Sequence, residues 1–381
     1  MGLPEYYNLR YDQAKSGLDR WGFLRTWWRL YAQERQWAAP YYPAIKEALD
    51  AGRNFHLKRL APRLVCLRGV TRKQPQPARN GEVLANLGWG ITAEASVCCA
   101  LLTYDRRRSD GSAYLALLHS HNTLSGLEGL LEFAAKELAP LGARRILGPV
   151  GISPYLYSGV LANLWNQTPP IYAAYNPPFL PELMAQVMEP ASTQQMYQMA
   201  VATTPGAEIT SQATLEPLDA QRLTGDLLAL LEAACQTLDG FPPPDVLEAG
   251  YLLSQIRRWP NWGWLAKVDG HPAGFILLQP DVSALLQRTR GGRTLRQRLT
   301  LMLLRGRPVH DGRVIFGGVA PAYRGQGVAR QLWQQAMRFA RSQGWDSLSV
   351  GPLSEDGPGA RFCASLGGQP KQQYLMFAAD L

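Results

Sequence analysis

VIFGGVAPAYRGQGVARQLWQQAMRFARSQGWDSLSV, Val314 to Val350, is the stretch that decides the fold. An apolar run, read as a buried strand over Arg313 to Val319, leads through Ala320-Pro321 into a glycine-rich turn, Arg324-Gly325-Gln326-Gly327-Val328-Ala329. Val328, Leu332, Trp333, Ala336 and Ala340 then recur at helical spacing and predict an amphipathic helix with that face inward. Glycine lets the backbone come close to a ligand, and the first N–H groups of a helix have no intrahelical partner. They point outward with the positive end of the helix dipole, an arrangement that suits a pyrophosphate. Arg324 and Arg330 stand where they could add charge-assisted bonds to phosphate oxygens.

Neither of two better-known phosphate turns is present. A P-loop ends in Gly-Lys-Ser/Thr, and a dinucleotide turn needs GxGxxG with an acidic residue about 20 positions later. Here Gly325 and Gly327 are followed by Arg330. A glycine turn that merely joins strand to helix is the bland alternative.

The segment resembles motif A of the GNAT acetyltransferase superfamily, Gln/Arg-x-x-Gly-x-Gly/Ala, which Arg324, Gly327 and Ala329 satisfy. The likeness continues through Ser347 to Val350 and GPGARFCASLGG to the C-terminus. It implies that the backbone around Val319 and Ala320 pairs with a pantetheine arm as an added strand would. It also implies that the amides from Gln326 through Gly327, Val328 and Ala329 to Arg330 hold the pyrophosphate of acetyl-coenzyme A or another acyl-coenzyme A. Gly317-Gly318 would then fit the bulge that the family places in this strand.

At 381 residues the chain exceeds the usual single core, so two domains are expected. The first half is strand-like over Val65 to Val70, Ile91 to Leu102 and Tyr114 to His119. A helix over Ser125 to Leu141, a strand through Arg145 to Leu147 and the turn-rich Gly148-Pro149-Val150-Gly151 follow. The second half repeats the order: a strand over Thr214 to Leu218, helices over Asp219 to Leu238 and up to Arg258, and a hairpin turning at Asp269-Gly270. The stretches WRLYAQERQWAAPYYPAIKEALD, RRILGPVGIS and IYAAYNPPFLPEL, with LLQPDVSALLQR and LLRGRPVHDGRVIFGGVAP, resemble a group of tandem GNAT proteins whose first copy has diverged. The expected fold is α/β (α+β), two GNAT-like domains, each a mixed, mostly antiparallel sheet flanked by helices. The diverged domain with its helical leader takes residues 1–205, and the intact one takes 206–381 with a basic insertion at about 281–311. Where the first copy should carry its phosphate turn, His119 to Gly129 lacks the basic residue and the Gly-x-Gly spacing, so that copy is expected not to bind coenzyme A.

The resemblance implies transfer of an acyl group from the thioester to a primary amine by direct attack, with a small-molecule or peptide amine as acceptor. Many members carry a tyrosine after the fifth strand to protonate the leaving thiolate, and in GARFCASLGG that position is Cys363. Tyr323, beside the turn, is a second candidate donor. Glu355 and Asp356 follow the strand that flanks the cleft and are the candidate bases, with His310 and Asp311, before the motif strand, behind them. Helix capping or simple solvation is the plainer use of such carboxylates. An acyl-coenzyme A-binding protein without turnover is the alternative reading, supported by the missing tyrosine.

Composition sets the remaining bounds. The formal charge of +9 points to an anionic partner without choosing one. Seven arginines between Asp281 and Asp311 raise nucleic-acid binding, although a solvated helical face needs fewer assumptions. The aromatics from Trp21 to Tyr42 read as packing anchors before base-stacking platforms. His119 and His121 alternate on a strand, but no third ligand is in phase, and no metal is expected. Five cysteines lack CxxC spacing. No secretory signal or membrane-spanning run is evident, so a cytoplasmic protein is expected.

Overall fold

A computed structural model of the chain describes residues 6–13, 17–72, 92–201, 212–219, 222–235 and 241–381. The first half runs β1 (Tyr6–Gln13), α1 (Gly17–Leu30), α2 (Tyr42–Ala48), α3 (Phe55–Arg59), β2 (Arg63–Arg72), β3 (Thr92–Tyr104) and β4 (Ser112–Ser120). It continues with α4 (Leu124–Leu138), β5 (Arg145–Val150), β6 (Val160–Leu161), α5 (Leu180–Ala185) and β7 (Glu189–Ala200). The second half repeats the theme with β8 (Thr214–Pro217), α6 (Gly225–Cys235), α7 (Val246–Ile256), β9 (Trp262–Val268) and β10 (His271–Pro280). Then come α8 (Ser283–Thr289), α9 (Leu295–Leu304), β11 (Asp311–Val319), α10 (Val328–Ser342), β12 (Ser347–Ser354), α11 (Pro358–Ser365) and β13 (Gln369–Asp380).

The thirteen strands of the described residues join one mixed, mostly antiparallel sheet in the order β1-β2-β3-β4-β5-β13-β7-β12-β11-β10-β9-β8, with β6 beside β13. The centre of that order is a reciprocal exchange. The last strand of the first half, β7, lies against β12 of the second, while the last strand of the chain, β13, lies against β5 of the first. The two exchanged strands pair with each other, antiparallel, and each is 12 residues long.

The cores follow the same logic. One hydrophobic cluster packs α4 on the first half's sheet and takes in Phe377 of the exchanged β13. Another belongs to the second half and takes the inward face of α10, where Val328, Leu332, Trp333, Ala336 and Ala340 are all buried as their spacing predicts. The largest joins both halves, bringing Phe23, Trp27 and Tyr31 of α1 together with Leu227 and Leu230 of α6 and Leu252 of α7. The N-terminal aromatics are therefore core anchors: Trp27, Trp28, Tyr31 and Trp37 are all nearly inaccessible and contact one another edge-on or tilted. That burial takes these four rings out of reach of bases, while Trp21 is exposed.

Several expectations shift. The leader expected to be helical includes β1 ahead of α1, because pairing with β2 overrides local propensity there. The helix expected over Asp219 to Leu238 spans Gly225–Cys235, and Gln236 to Leu238 lie outside the described residues. Gly148-Pro149, read as turn, is inside β5, which continues to Val150. The hairpin holds: Asp269 and Gly270 both have positive φ, 51° and 78°, the pair of left-handed residues that a type I′ turn requires. The basic insertion is docked against the first half. Gly291 sits so close to Pro40 O that an added Cβ would lie 2.1 Å from it, Arg290 Nη1 donates to Glu34 O at 2.8 Å, and Trp28 Nε1 donates to Arg290 O at 3.0 Å.

Candidate active site

β11 and β12 run parallel only at their beginnings, from Asp311↔Ser347 to Val314↔Val350. Beyond that point β12 stays with β7 and β11 stays with β10, so the two strands part in a V. The parting coincides with a bulge: Leu277 faces Phe316 while Leu278 faces Val314, leaving Ile315 as the extra residue. A bulge turns the strand and aims its edge differently from the preceding ladder. The edge of residues 315–319 that faces away from β10 has no strand partner among the described residues. Its backbone groups remain available to an extended ligand.

The bulge is therefore at Ile315, and Gly317-Gly318 pair regularly with Ile276 and Phe275. What Gly318 provides is clearance, since a Cβ there would meet Ala234 Cβ of α6 at 2.3 Å.

The strand ends at Val319, Ala320 N donates to Ala273 O at 2.9 Å, and a single 3-10 turn over Pro321–Tyr323 leads into the glycines. Gly325 and Gly327 both occupy the left-handed region, at φ 78° and 80°, which a Cβ would strain. Gly327 is the N-cap of α10 and offers no side-chain cap. Among the described residues, no protein acceptor takes the N–H groups of Gly325, Gln326, Gly327, Val328, Ala329 or Arg330. The result is an open row of donors at the positive end of a 15-residue helix, with the exposed Arg324 and Arg330 beside it. The residues fit an anionic, phosphate-bearing ligand whose extended arm lies along 315–319.

Other expected positions are more scattered. Glu355 and Asp356 are exposed just past the end of β12, with Glu355 N bonded to Thr193 O of β7 at 3.1 Å. Cys363 is 2% exposed in the core under α11, and burial pushes its thiol up to about 11. Tyr323 is half-buried against the same core. His310 and Asp311 stand at the opposite end of β11 from the turn, where Asp311 Oδ1 accepts Ser347 Oγ; a nine-residue strand separates them by roughly 25–30 Å from Val319.

In the first half the matching place is filled. His119 is the eighth residue of the nine-residue β4, as Gly318 is of β11. Its ring stacks on Trp27 at 4.0 Å and meets Tyr31 edge-on. Burial holds the imidazole well below its usual range. His121 lies beyond the end of β4, so the two histidines do not share a strand face. Among the described residues no group of three or more His, Cys, Asp or Glu is placed to hold a metal, and no helix is long and apolar enough to cross a membrane.

One residue was missed by sequence reasoning. Arg313, read only as the start of a strand, is 4% exposed at the parting of β11 and β12, with its Nη2 donating to Gly351 O at 2.7 Å. An arginine inside an otherwise apolar strand was the signal.

Residues 228–367 match the model of the Acetyltransferase (GNAT) family. Over 98% of both chains the fold is similar to that of a tandem GNAT protein from the clavulanic acid biosynthesis pathway, solved without acetyl-coenzyme A (TM-score 0.56, 13% identity). A probable N-acyltransferase of Enterococcus faecalis V583 is similar at TM-score 0.53 and 8% identity, over 98% of this chain and 72% of that one. The glucosamine N-acetyltransferase region of a fungal multi-domain β-N-acetylglucosaminidase is similar at TM-score 0.52 and 12% identity, over 98% of this chain and 38% of that one. At such identities the likeness is one of fold. No curated protein matches the chain in sequence.

Proposed function

From a chain whose C-terminal region is a domain of the acetyltransferase (GNAT) family and whose whole length takes the tandem GNAT fold, we propose an acyl-coenzyme A-dependent N-acyltransferase acting in the cytoplasm on a primary amine. The observation that carries this reading is the junction of the unpaired β11 edge with the row of unpartnered amides at Gly325 to Arg330. In it, those amides with Arg324 and Arg330 bind the pyrophosphate, and the backbone from Ile315 to Val319 pairs with the pantetheine arm. The thioester is thereby brought to the apex of the V. The acceptor nitrogen forms the new C–N bond at the carbonyl carbon, the C–S bond breaks, and the thiolate leaves to take up a proton. Backbone N–H groups along the free edge polarise the carbonyl. Glu355 and Asp356 are the candidate bases for the amine proton, with Tyr323 and Cys363 as candidate donors to the thiolate.

The non-catalytic acyl-coenzyme A-binding reading is favoured by one observation: the side chain at the usual tyrosine position is a buried thiol. Calorimetric titration of acetyl-coenzyme A separates these possibilities in stages. Wild type is expected to bind, and Gly327→Glu, which adds left-handed strain and a like charge at the phosphates, is expected to lose ~100-fold or more in affinity. Absence of binding to acetyl-coenzyme A and to longer acyl forms would sink both readings. Binding without thiol release across a broad amine panel would favour the sensor.

A further inference from the structure

Arg313 is built for a partner that the protein itself does not supply. It sits two positions before the bulge, opposite Ser349 in register, and its Nη2 reaches across to Gly351 O, so the side chain spans the apex of the V. A guanidinium carries five N–H donors. Among the described residues only the Gly351 bond is made, and Nε and Nη1 are buried with no hydrogen-bond partner. Whichever Nη2 hydrogen that bond uses, one complete two-hydrogen edge of the fork stays unfilled. The Tyr374 hydroxyl of β13 is likewise buried without a partner, and Tyr374, Tyr157 and Tyr172 all lie within electrostatic range of Arg313. Asp281 is the formal counter-charge nearby, yet its Oδ1 is taken by the backbone N–H groups of Ile171 and Ser283, both at 3.0 Å, and it forms no hydrogen bond to Arg313. Buried donors of this kind are exceptions in folded proteins and call for an explanation.

We propose that the open edge of Arg313, with the Tyr374 hydroxyl, binds a carboxylate carried by the amine acceptor, so that the acceptor is an amino acid or another amine bearing a carboxylate. This rests on the acyl-transfer reading, which brings the thioester to the apex where Arg313 stands. The phosphates of the cosubstrate are held at the other end of β11, leaving this cation to the acceptor. A planar fork matches a carboxylate in two parallel bonds, which a point charge cannot do. Tyr157 and Tyr172, which come from the first half of the chain, also lie within electrostatic range of Arg313, so the proposed site stands at the junction of the two halves.

The test pairs free α-amino acids with their carboxamides as acceptors and measures thiol release from acetyl-coenzyme A. Free acids are expected to exceed their amides by ~100-fold in kcat/KM, the scale for leaving a buried charged donor unmet. Tyr374→Phe removes a hydroxyl that bonds nothing in the free protein, so a merely structural role predicts no kinetic change. The carboxylate site predicts a rise in KM of about tenfold with acetyl-coenzyme A binding unaltered. Arg313→Lys keeps the charge and is expected to lose the acid-over-amide preference. Equal turnover of acids and amides, or an unmoved KM in Tyr374→Phe, overturns the proposal while leaving acyl transfer standing. If acetyl-coenzyme A does not bind at all, the acyl-transfer reading has failed and direct calorimetry decides the site. Binding of acetate or free amino acids that is lost in Arg313→Lys sustains it; no binding, or binding of inorganic phosphate alone, overturns it.

Discussion

Replacing His119 by Phe tests the account of the filled first-half cleft. Both ring nitrogens of His119 are buried without a hydrogen-bond partner, while its faces and edges are occupied by Trp27 and Tyr31. Phe keeps the stack and removes two unsatisfied polar atoms, each of a kind that costs about 1–3 kcal/mol. A cavity of about 50 Å³ that His119 lines gives the larger ring room. The expected gain at neutral pH is ~1–2 kcal/mol. Acidification adds to it. The folded-state pKa of His119 is depressed, so below the unfolded value near 6.5 the unfolded chain takes up a proton that the folded one refuses, and wild-type stability falls as pH falls. Phe removes that loss, and the difference between variant and wild type should widen by about 1.4 kcal/mol between neutral pH and pH 5.5. His56 and His121, also depressed by burial, remain in both proteins and cancel. Urea unfolding at pH 7.5 and 5.5, followed by fluorescence and far-UV circular dichroism, reads both numbers. No gain at pH 7.5 and a parallel pH dependence would refute the reasoning, and would mean that water in the adjoining cavity already satisfies the imidazole.

Two other changes probe the junction and the thiol. Glu248 of α7 is 1% exposed and accepts Arg107 Nη2 at 2.7 Å and Ser153 Oγ at 2.9 Å, tying the second half to the first. Glu248→Ala leaves Ser153 Oγ without its acceptor while Arg107 keeps Asp105, and is expected to cost ~1–3 kcal/mol in urea unfolding, whereas a loss under about 0.5 kcal/mol would show the network to be dispensable. Cys363→Ala tests whether the thiol serves chemistry or packing. With its thiol pushed up to about 11, Cys363 is a weaker acid than an ordinary thiol and a poor donor to a leaving thiolate, so turnover is expected to stay within about twofold and stability to fall by ~1 kcal/mol; a large drop in kcat at unchanged stability would instead make the thiol the proton donor.

What could be read in advance was local. Gly325 and Gly327 announce left-handed backbone because few other residues tolerate it, and Val328, Leu332 and Trp333 announce a helix face because their spacing matches 3.6 residues per turn. Asp269-Gly270 announces its hairpin for the same reason. The exchange of β7 and β13 is invisible at that level. Both strands carry patterns that fit either sheet, and the choice between neighbours is made by contacts more than a hundred residues apart, such as Phe377↔Gly148 and Val350↔Tyr197. Arg313 was missed for a related reason: a lone arginine near a strand's start reads as a solvated end, and only its 4% exposure where β11 and β12 part reveals a buried cation.

That exchange bears on why a copy with a filled cleft would persist. β12 diverges from β11 and needs another neighbour, which β7 of the first half provides through pairs that extend to Ser354↔Gln194, just short of Glu355. Tyr374, on β13, is held between β7 and β6 of the first half. Deleting the first half would thus remove the strand that supports one arm of the V and unpair the strand that carries Tyr374. In the proposed enzyme the first copy is a wall of the second copy's site, so selection on the acceptor cleft can preserve its fold after its own cleft has been given over to His119 and Trp27.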